Sequence, residues 1–272
     1  MSLRSMLKNL LVSEELEAHV DAMKKPVGEL GYDPWGFNIE TGKVSLGAFK
    51  IFYDHYFRVE ARGLENIPTE GRMLVIPNHS GQLPLDALLI GTALVTNDHG
   101  PRAPRVMVER FLPTVPFFGN MINRWGGVVG DPVNCARMLE KEECIIVFPE
   151  GVRGSGKIFK DRYQLKRFGN GFMHLAMEYN TPIVPVGVVG CEETIPSLHD
   201  MKPLAKILGM PYIPLALPFV LPAKVILNFG KPISFTGSVD SESSVTEKVE
   251  QVKEAIQGLI KKGLSEREGW FK

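Results

Sequence analysis

The chain has 272 residues, 44% of them apolar and 23% charged, which suits a large single domain or a domain with an appendage. Its 31 basic and 31 acidic residues cancel, and this removes any global electrostatic case for nucleic acid as a partner. Cys135, Cys144 and Cys191 form no Cys-x-x-Cys pair and no zinc spacing, so a reducing compartment is expected, without a disulfide framework or a metal site.

Residues 1–57 read as a partly helical lead-in. Their start lacks the apolar core and small-residue cleavage site of a secretory signal. Leu3, Met6, Leu7, Leu10 and Leu11 form an apolar stripe beside Arg4 and Lys8, a pattern suited to lying on a membrane surface. "VSLGAFKIFYDHYF" (44–57) predicts a short apolar helix.

From residue 58 to 272, short apolar runs alternate with helical patterns. "MLVIP" (73–77), "PRVMV" (104–108), "GGVV" (126–129), "CIIVF" (144–148), "IVPVGVVG" (183–190) and "AKVILNF" (223–229) predict strands. "PLDALLIGTALV" (84–95), "PFFGNMINRW" (116–125), "PVNCARMLEKE" (132–142) and "GFMHLAMEY" (171–179) predict helices. Ser244 and Glu247 offer a capping box for a last helix striped by Val249, Val252, Ile256, Leu259 and Ile260. The alternation implies a mostly parallel α/β sheet flanked by helices, with ligands bound beyond the carboxyl ends of the strands.

No apolar stretch reaches the roughly 18 residues of a spanning helix. Residues 207–223 are uncharged, but Pro211, Pro214, Pro218 and Pro222 break any helix there. They read as an apolar loop, packed on the core or dipped into a membrane surface, and residues 111–125 are a second apolar candidate.

Two strand ends carry chemistry. The first is "IPNHSGQLPLD", which sets His79 just before a helix and Asp86 in its first turn. A histidine can take a hydroxyl proton, and a nearby carboxylate can fix its tautomer; the plain alternative is a loop histidine and a helix-start carboxylate. The second is "PEGVRGSGK" after "CIIVF". It approaches a P-loop, but Ile158 stands where magnesium needs Ser or Thr, and Glu150 would face the phosphates. Arg153 two places before Ser155 also rules out a Gly-x-Ser-x-Gly nucleophile elbow.

Taken in order, "NHSGQLPLD", "RWGGVVGD", "FPEGVRGSGK" and "TPIVPVGVVG" resemble the four blocks of the glycerolipid acyltransferase superfamily, the lysophosphatidate and glycerol-3-phosphate acyltransferases, over roughly residues 58–235. The resemblance implies that His79 is the general base and Asp86 its orienting partner. It implies that Glu150, Gly151 and Arg153, with Lys157 beside them, bind the acceptor, and that Pro182–Val186 shapes the acyl site. The donor would be acyl-CoA or acyl-carrier protein as co-substrate, with no cofactor and no metal. The enzyme would work with membrane lipids, as a peripheral or monotopic protein on the cytoplasmic face of a membrane.

Two features depart from the family pattern. Six residues separate His79 from Asp86, where the family has four, so the loop holding Gly81 must bulge if the pair is to form. The second block ends in Gly130 and Asp131 where the family carries a phosphate-holding arginine; Arg124 precedes the strand, at its wrong end. A phosphorylated lysolipid and a neutral hydroxyl, such as diacylglycerol or a long-chain alcohol, therefore both stand as acceptors. The alternative to an enzyme is a non-catalytic lipid-binding relative. The basic run Arg153, Lys157, Lys160, Arg162, Lys166 and Arg167, opposed by Asp161, suits CoA phosphates, an acidic carrier protein or anionic headgroups.

Overall fold

A computed structural model of the chain describes residues 3–23, 28, 30–80, 83–110, 112, 118–201, 214–216, 218–237 and 241–272. Seven strands form one sheet: β1 (Glu60–Arg62), β2 (Met73–Pro77), β3 (Pro104–Val108), β4 (Gly127–Val129), β5 (Cys144–Ile146), β6 (Ile183–Val189) and β9 (Ile226–Phe229), in the order β1-β9-β6-β2-β5-β3-β4. The strands β6, β2, β5, β3 and β4 run parallel, while β9 is antiparallel to β6 and carries β1 parallel to itself. Parallel pairing brings the carboxyl ends of those five strands to one edge of the sheet.

Strands β2, β5 and β6 are buried along their whole length, as their unbroken apolar runs require of a sheet covered on both faces. One face is covered by α6 (Pro132–Glu140), α8 (Gly171–Glu178) and α10 (Glu242–Ser265), through Met138, Leu139, Met173 and Ile256 among others. On the other lie α4 (Leu85–Val95) and the end of the lead-in, through Ile90, Leu94, Tyr53 and Phe57. Pro185 is tolerated inside β6 because regular pairing with β9 begins one residue later, at Val186 opposite Phe229.

The lead-in is built of α1 (Leu3–Leu11), α2 (Glu14–Ala22) and α3 (Ile39–Ile51), and α3 runs on into a π-turn at Phe52–Tyr56. The expected helix at 44–57 therefore starts earlier, because the Asn38 side chain accepts from Thr41 N–H and caps it there. The lead-in is tied to the sheet domain by a hydrogen bond from Trp125 Nε1 to Ser45 Oγ at 2.8 Å and by a buried ion pair between Asp33 and Arg105. On α1, Met6 and Leu10 are exposed while Leu7 and Leu11 are half-buried.

The last helix also begins before its expected capping box: Ser241, not Ser244, is the cap, and Ser244 N–H donates to it. Three strands are not expected from the sequence pattern: β1, β7 (Ser197–Asp200) and β8 (Pro214–Ala216). β7 and β8 pair in a small second sheet, so part of the apolar loop expected at 207–223 is strand. The rest of that loop at 207–213 and 217, and residues 111 and 113–117 of the other apolar candidate, lie outside the described residues.

Helix α10 lies on β6 over Gly187, where an added Cβ would meet the backbone of Leu259 at 2.7 Å. Gly187→Ala should therefore push the helix off the strand and destabilise the fold by about 1–3 kcal/mol. Urea unfolding checks this: the midpoint should fall with the slope unchanged.

Candidate active site

His79 and Asp86 meet at the carboxyl edge of the central strands. β2 ends at Pro77, and the next residue, Asn78, continues its pairing with a side chain. Asn78 Nδ2 donates to Val188 O at 3.1 Å, and Val188 N–H donates to Asn78 Oδ1 at 2.7 Å. The chain thus leaves the sheet at a fixed point, and His79 is the first residue beyond it.

Asp86 sits in the first turn of α4 and is fully buried. Its Oδ2 accepts from Ser80 N–H at 2.8 Å and lies 2.7 Å from His79 Nδ1; its Oδ1 accepts from Ala87 N–H at 2.8 Å. A carboxylate in contact with Nδ1 makes that nitrogen the donor and leaves Nε2 with the lone pair. The pair forms despite the longer spacing, and Gly81 and Gln82, where the bulge is expected, lie outside the described residues. The imidazole leans on Phe148, with ring centroids 4.3 Å apart.

The loop after β5 supplies the second support. Glu150 is fully buried: Oε1 accepts from His79 N–H at 2.8 Å and Oε2 from Lys166 N–H at 2.8 Å. Both oxygens accept from backbone, so Glu150 ties the His79 loop to the segment around Lys166. Lys157 is likewise buried. Its ammonium lies 2.6 Å from Glu192 and 3.6 Å from Glu150. Gly151, at φ +54°, makes the turn that follows Glu150 and stands against Glu109, whose Oε1 would lie 3.1 Å from an added Cβ. Gly154 lets α7 (Val152–Ser155) pack close, since a Cβ there would fall 2.7 Å from the Cβ atoms of both His79 and Glu150. Arg153 is exposed on α7, with no ion-pair partner among the described residues.

A cleft of about 290 Å³ opens at His79. Val106, Met107, Val147, Phe148, Phe172 and Leu175 make its walls apolar, and Glu109 and Asp131 stand among its polar lining. Pro182–Val186 runs through the centre of the sheet and does not line this cleft, whose walls come from β3, the segment after β5 and α8. Cys135 lines the cleft too, but burial pushes its thiol up to about 11, which keeps it protonated and a poor nucleophile.

Asp131 is only half-buried. Its side chain caps α6 by accepting from Val133 N–H at 2.9 Å, and it lies 3.1 Å from Arg110. It is a helix cap paired with a cation. Arg110 is the cation that the sequence blocks miss, two residues past the end of β3. Arg124 ends α5 (Phe118–Arg124), before β4 and so at the end of the sheet away from His79. The basic run divides: Lys166 pairs with Asp161 at 3.0 Å, Arg162 lies 4.5 Å over the Phe159 ring, and Arg153, Lys160 and Arg167 remain exposed.

Comparison with known proteins bears on the family and the fold. Residues 58–189 match the family model described as Acyltransferase. An uncharacterized protein of Mycobacterium leprae is 34% identical, over 94% of this chain and 76% of its own length. A "DGAT1/2-independent enzyme synthesizing storage lipids" from Bos taurus is 27% identical, over 75% of this chain and 59% of its own. The fold is that of the crystal structure of the 1-acyl-sn-glycerophosphate (LPA) acyltransferase PlsC from Thermotoga maritima, with TM-score 0.57 at 18% identity over 98% of this chain and 97% of that one. The chain belongs to the glycerolipid acyltransferase superfamily and is an acyltransferase enzyme.

Proposed function

We propose that the enzyme moves a fatty acyl group from an acyl thioester, acyl-CoA or acyl-carrier protein, to a glycerolipid hydroxyl, with His79 as the general base. The observation that carries this reading is the His79–Asp86 pair, 2.7 Å apart at the mouth of an apolar cleft. The acceptor oxygen loses its proton to His79 Nε2 and attacks the thioester carbonyl. The C–O bond forms, the C–S bond breaks, and the thiolate leaves with the proton returned by the imidazolium. Asp86 stabilises that imidazolium and keeps Nε2 free. The acyl chain lies along Val106, Phe172 and Leu175, where apolar contact favours it by about 0.8 kcal/mol per buried CH₂. The thioester is a co-substrate, and the reaction calls for no cofactor or metal.

The reading sets the enzyme against a membrane surface, because its product is a lipid. Exposed Met6 and Leu10 on α1 and exposed Phe219 support it. Among the described residues no helix is long and apolar enough to cross a membrane.

Acceptor-dependent thiol release from palmitoyl-CoA tests the assignment, with lysophosphatidate, diacylglycerol and a fatty alcohol offered separately on liposomes. Release should depend on one acceptor class, and His79→Ala should lower it about 10²- to 10⁴-fold. Release that ignores the variant would remove His79 from the mechanism. Asp86→Asn keeps the shape but lets the amide bind the wrong nitrogen lone pair; kcat should fall at least about 10²-fold, with KM for the acyl donor little changed.

A further inference from the structure

Behind the site lies a set of buried charges that takes no part in the reaction as written. Glu150, Glu192 and Glu193 are buried carboxylates, and Lys157 and Arg267 are the buried cations among them. Lys157 reaches from the end of α7 between Glu150, on the loop after β5, and Glu192, on α9 (Cys191–Thr194) after β6. Glu192 also accepts from Tyr163 N–H. Tyr163 OH in turn donates to Glu193 at 2.7 Å and accepts from Gly190 N–H at 3.0 Å, and Glu193 pairs with Arg267 just past the last helix. Neither Lys157 nor Glu150 lines the cleft.

We propose that Lys157 is a positioning residue for acyl transfer: it holds Glu150 as a carboxylate, and that carboxylate holds the His79 loop. The proposal rests on the general-base reading of His79. Each Glu150 oxygen faces a backbone N–H, one from His79 and one from Lys166. A proton on either oxygen would set O–H against N–H and break one of the two hydrogen bonds. The ionised form is thus the only one that supports both.

The groups facing Glu150 come from three places. The loop after β2 brings His79, held in turn by Asp86. The segment after α7 brings Lys157 and the Lys166 N–H, while the Lys166 ammonium is turned to Asp161. The loop after β6 brings Glu192, a like charge shared through Lys157. Glu109 stands beyond Gly151. Burial already raises the Glu192 carboxyl above its ordinary range, with Lys157 as the opposing influence. Remove the cation and two buried carboxylates face each other, a situation in which one takes up a proton at higher pH.

The sign follows. Activity needs ionised Glu150, so in Lys157→Met activity is kept at high pH and lost as pH falls to where the Glu150–Glu192 pair takes up its proton. The test is kcat and KM for palmitoyl-CoA against pH, in wild type, Lys157→Met, Lys157→Arg and the double variant Lys157→Met/Glu192→Gln. Lys157→Met should lower kcat on the order of 10²-fold at neutral pH, as expected when a reacting group is misplaced. Its acid limb should move to higher pH, with activity recovering on the alkaline side and KM unchanged. Lys157→Arg should restore most of kcat, and the double variant part of it. A loss of equal size at every pH, or a raised KM with kcat intact, would overturn the proposal. Where Lys157→Met does not accumulate folded, the double variant, freed of the buried like charge, carries the test: an acid limb that coincides with wild type overturns it. His79→Ala in the same series keeps the two readings apart. If His79→Ala is inactive and Lys157→Met shows no pH shift, only the Lys157 assignment fails; full activity in His79→Ala fails the base assignment itself.

Discussion

One buried carboxylate joins the two loops on which the chemistry depends. Glu150 follows β5 and accepts from the backbone N–H of His79, which follows the neighbouring strand β2. Taking a charge out of water costs several kcal/mol. It is offset here by two hydrogen bonds to an ionised acceptor, each worth roughly 1.5–3 kcal/mol, and by the Lys157 ammonium at 3.6 Å. Such a site resists replacement, because losing any partner strands a buried charge. His79 therefore stands on a rigid edge of the sheet, although it lies in a loop.

The second constraint is the division of labour around His79. Asp86 takes the Nδ1 side, Glu150 takes the backbone N–H, and Phe148 takes a ring face. None of these three contacts uses Nε2, and the adjoining cleft is walled mostly by apolar side chains. Parallel strand order explains why these parts meet. β2, β5 and β3 are neighbours and end at the same edge, so loops far apart in sequence arrive at one place.

Much of this is legible in the sequence for a physical reason. Strands of a sheet covered on both faces read as short apolar runs, so β2, β3, β5, β6 and β9 stand out, and the ends of β2 and β5 point to His79 and Glu150. The His79–Asp86 pair is legible as chemistry, but its closure across a longer spacing is not, because a loop's path is set by contacts at both ends. The roles of Glu150 and Lys157 are hidden for another reason. A motif shows which residues lie near the site, not whether their charges are spent on the protein or free for a ligand. Glu192 and Arg267 carry no local signal, since their ion-pair partners lie 35 or more positions away in sequence. β1, β7 and β8 are short, and no apolar alternation marks them, so they emerge only from pairing.

The central claim is direct transfer from thioester to hydroxyl, with His79 moving the proton and no acyl group held on the protein. Rapid-quench mixing of enzyme with radiolabelled palmitoyl-CoA, acceptor withheld, tests it most directly. The account predicts no stoichiometric burst of free CoA and no label on the denatured chain, with release starting only when the acceptor is added. A burst of one thiol per chain, with label on the protein, would contradict it.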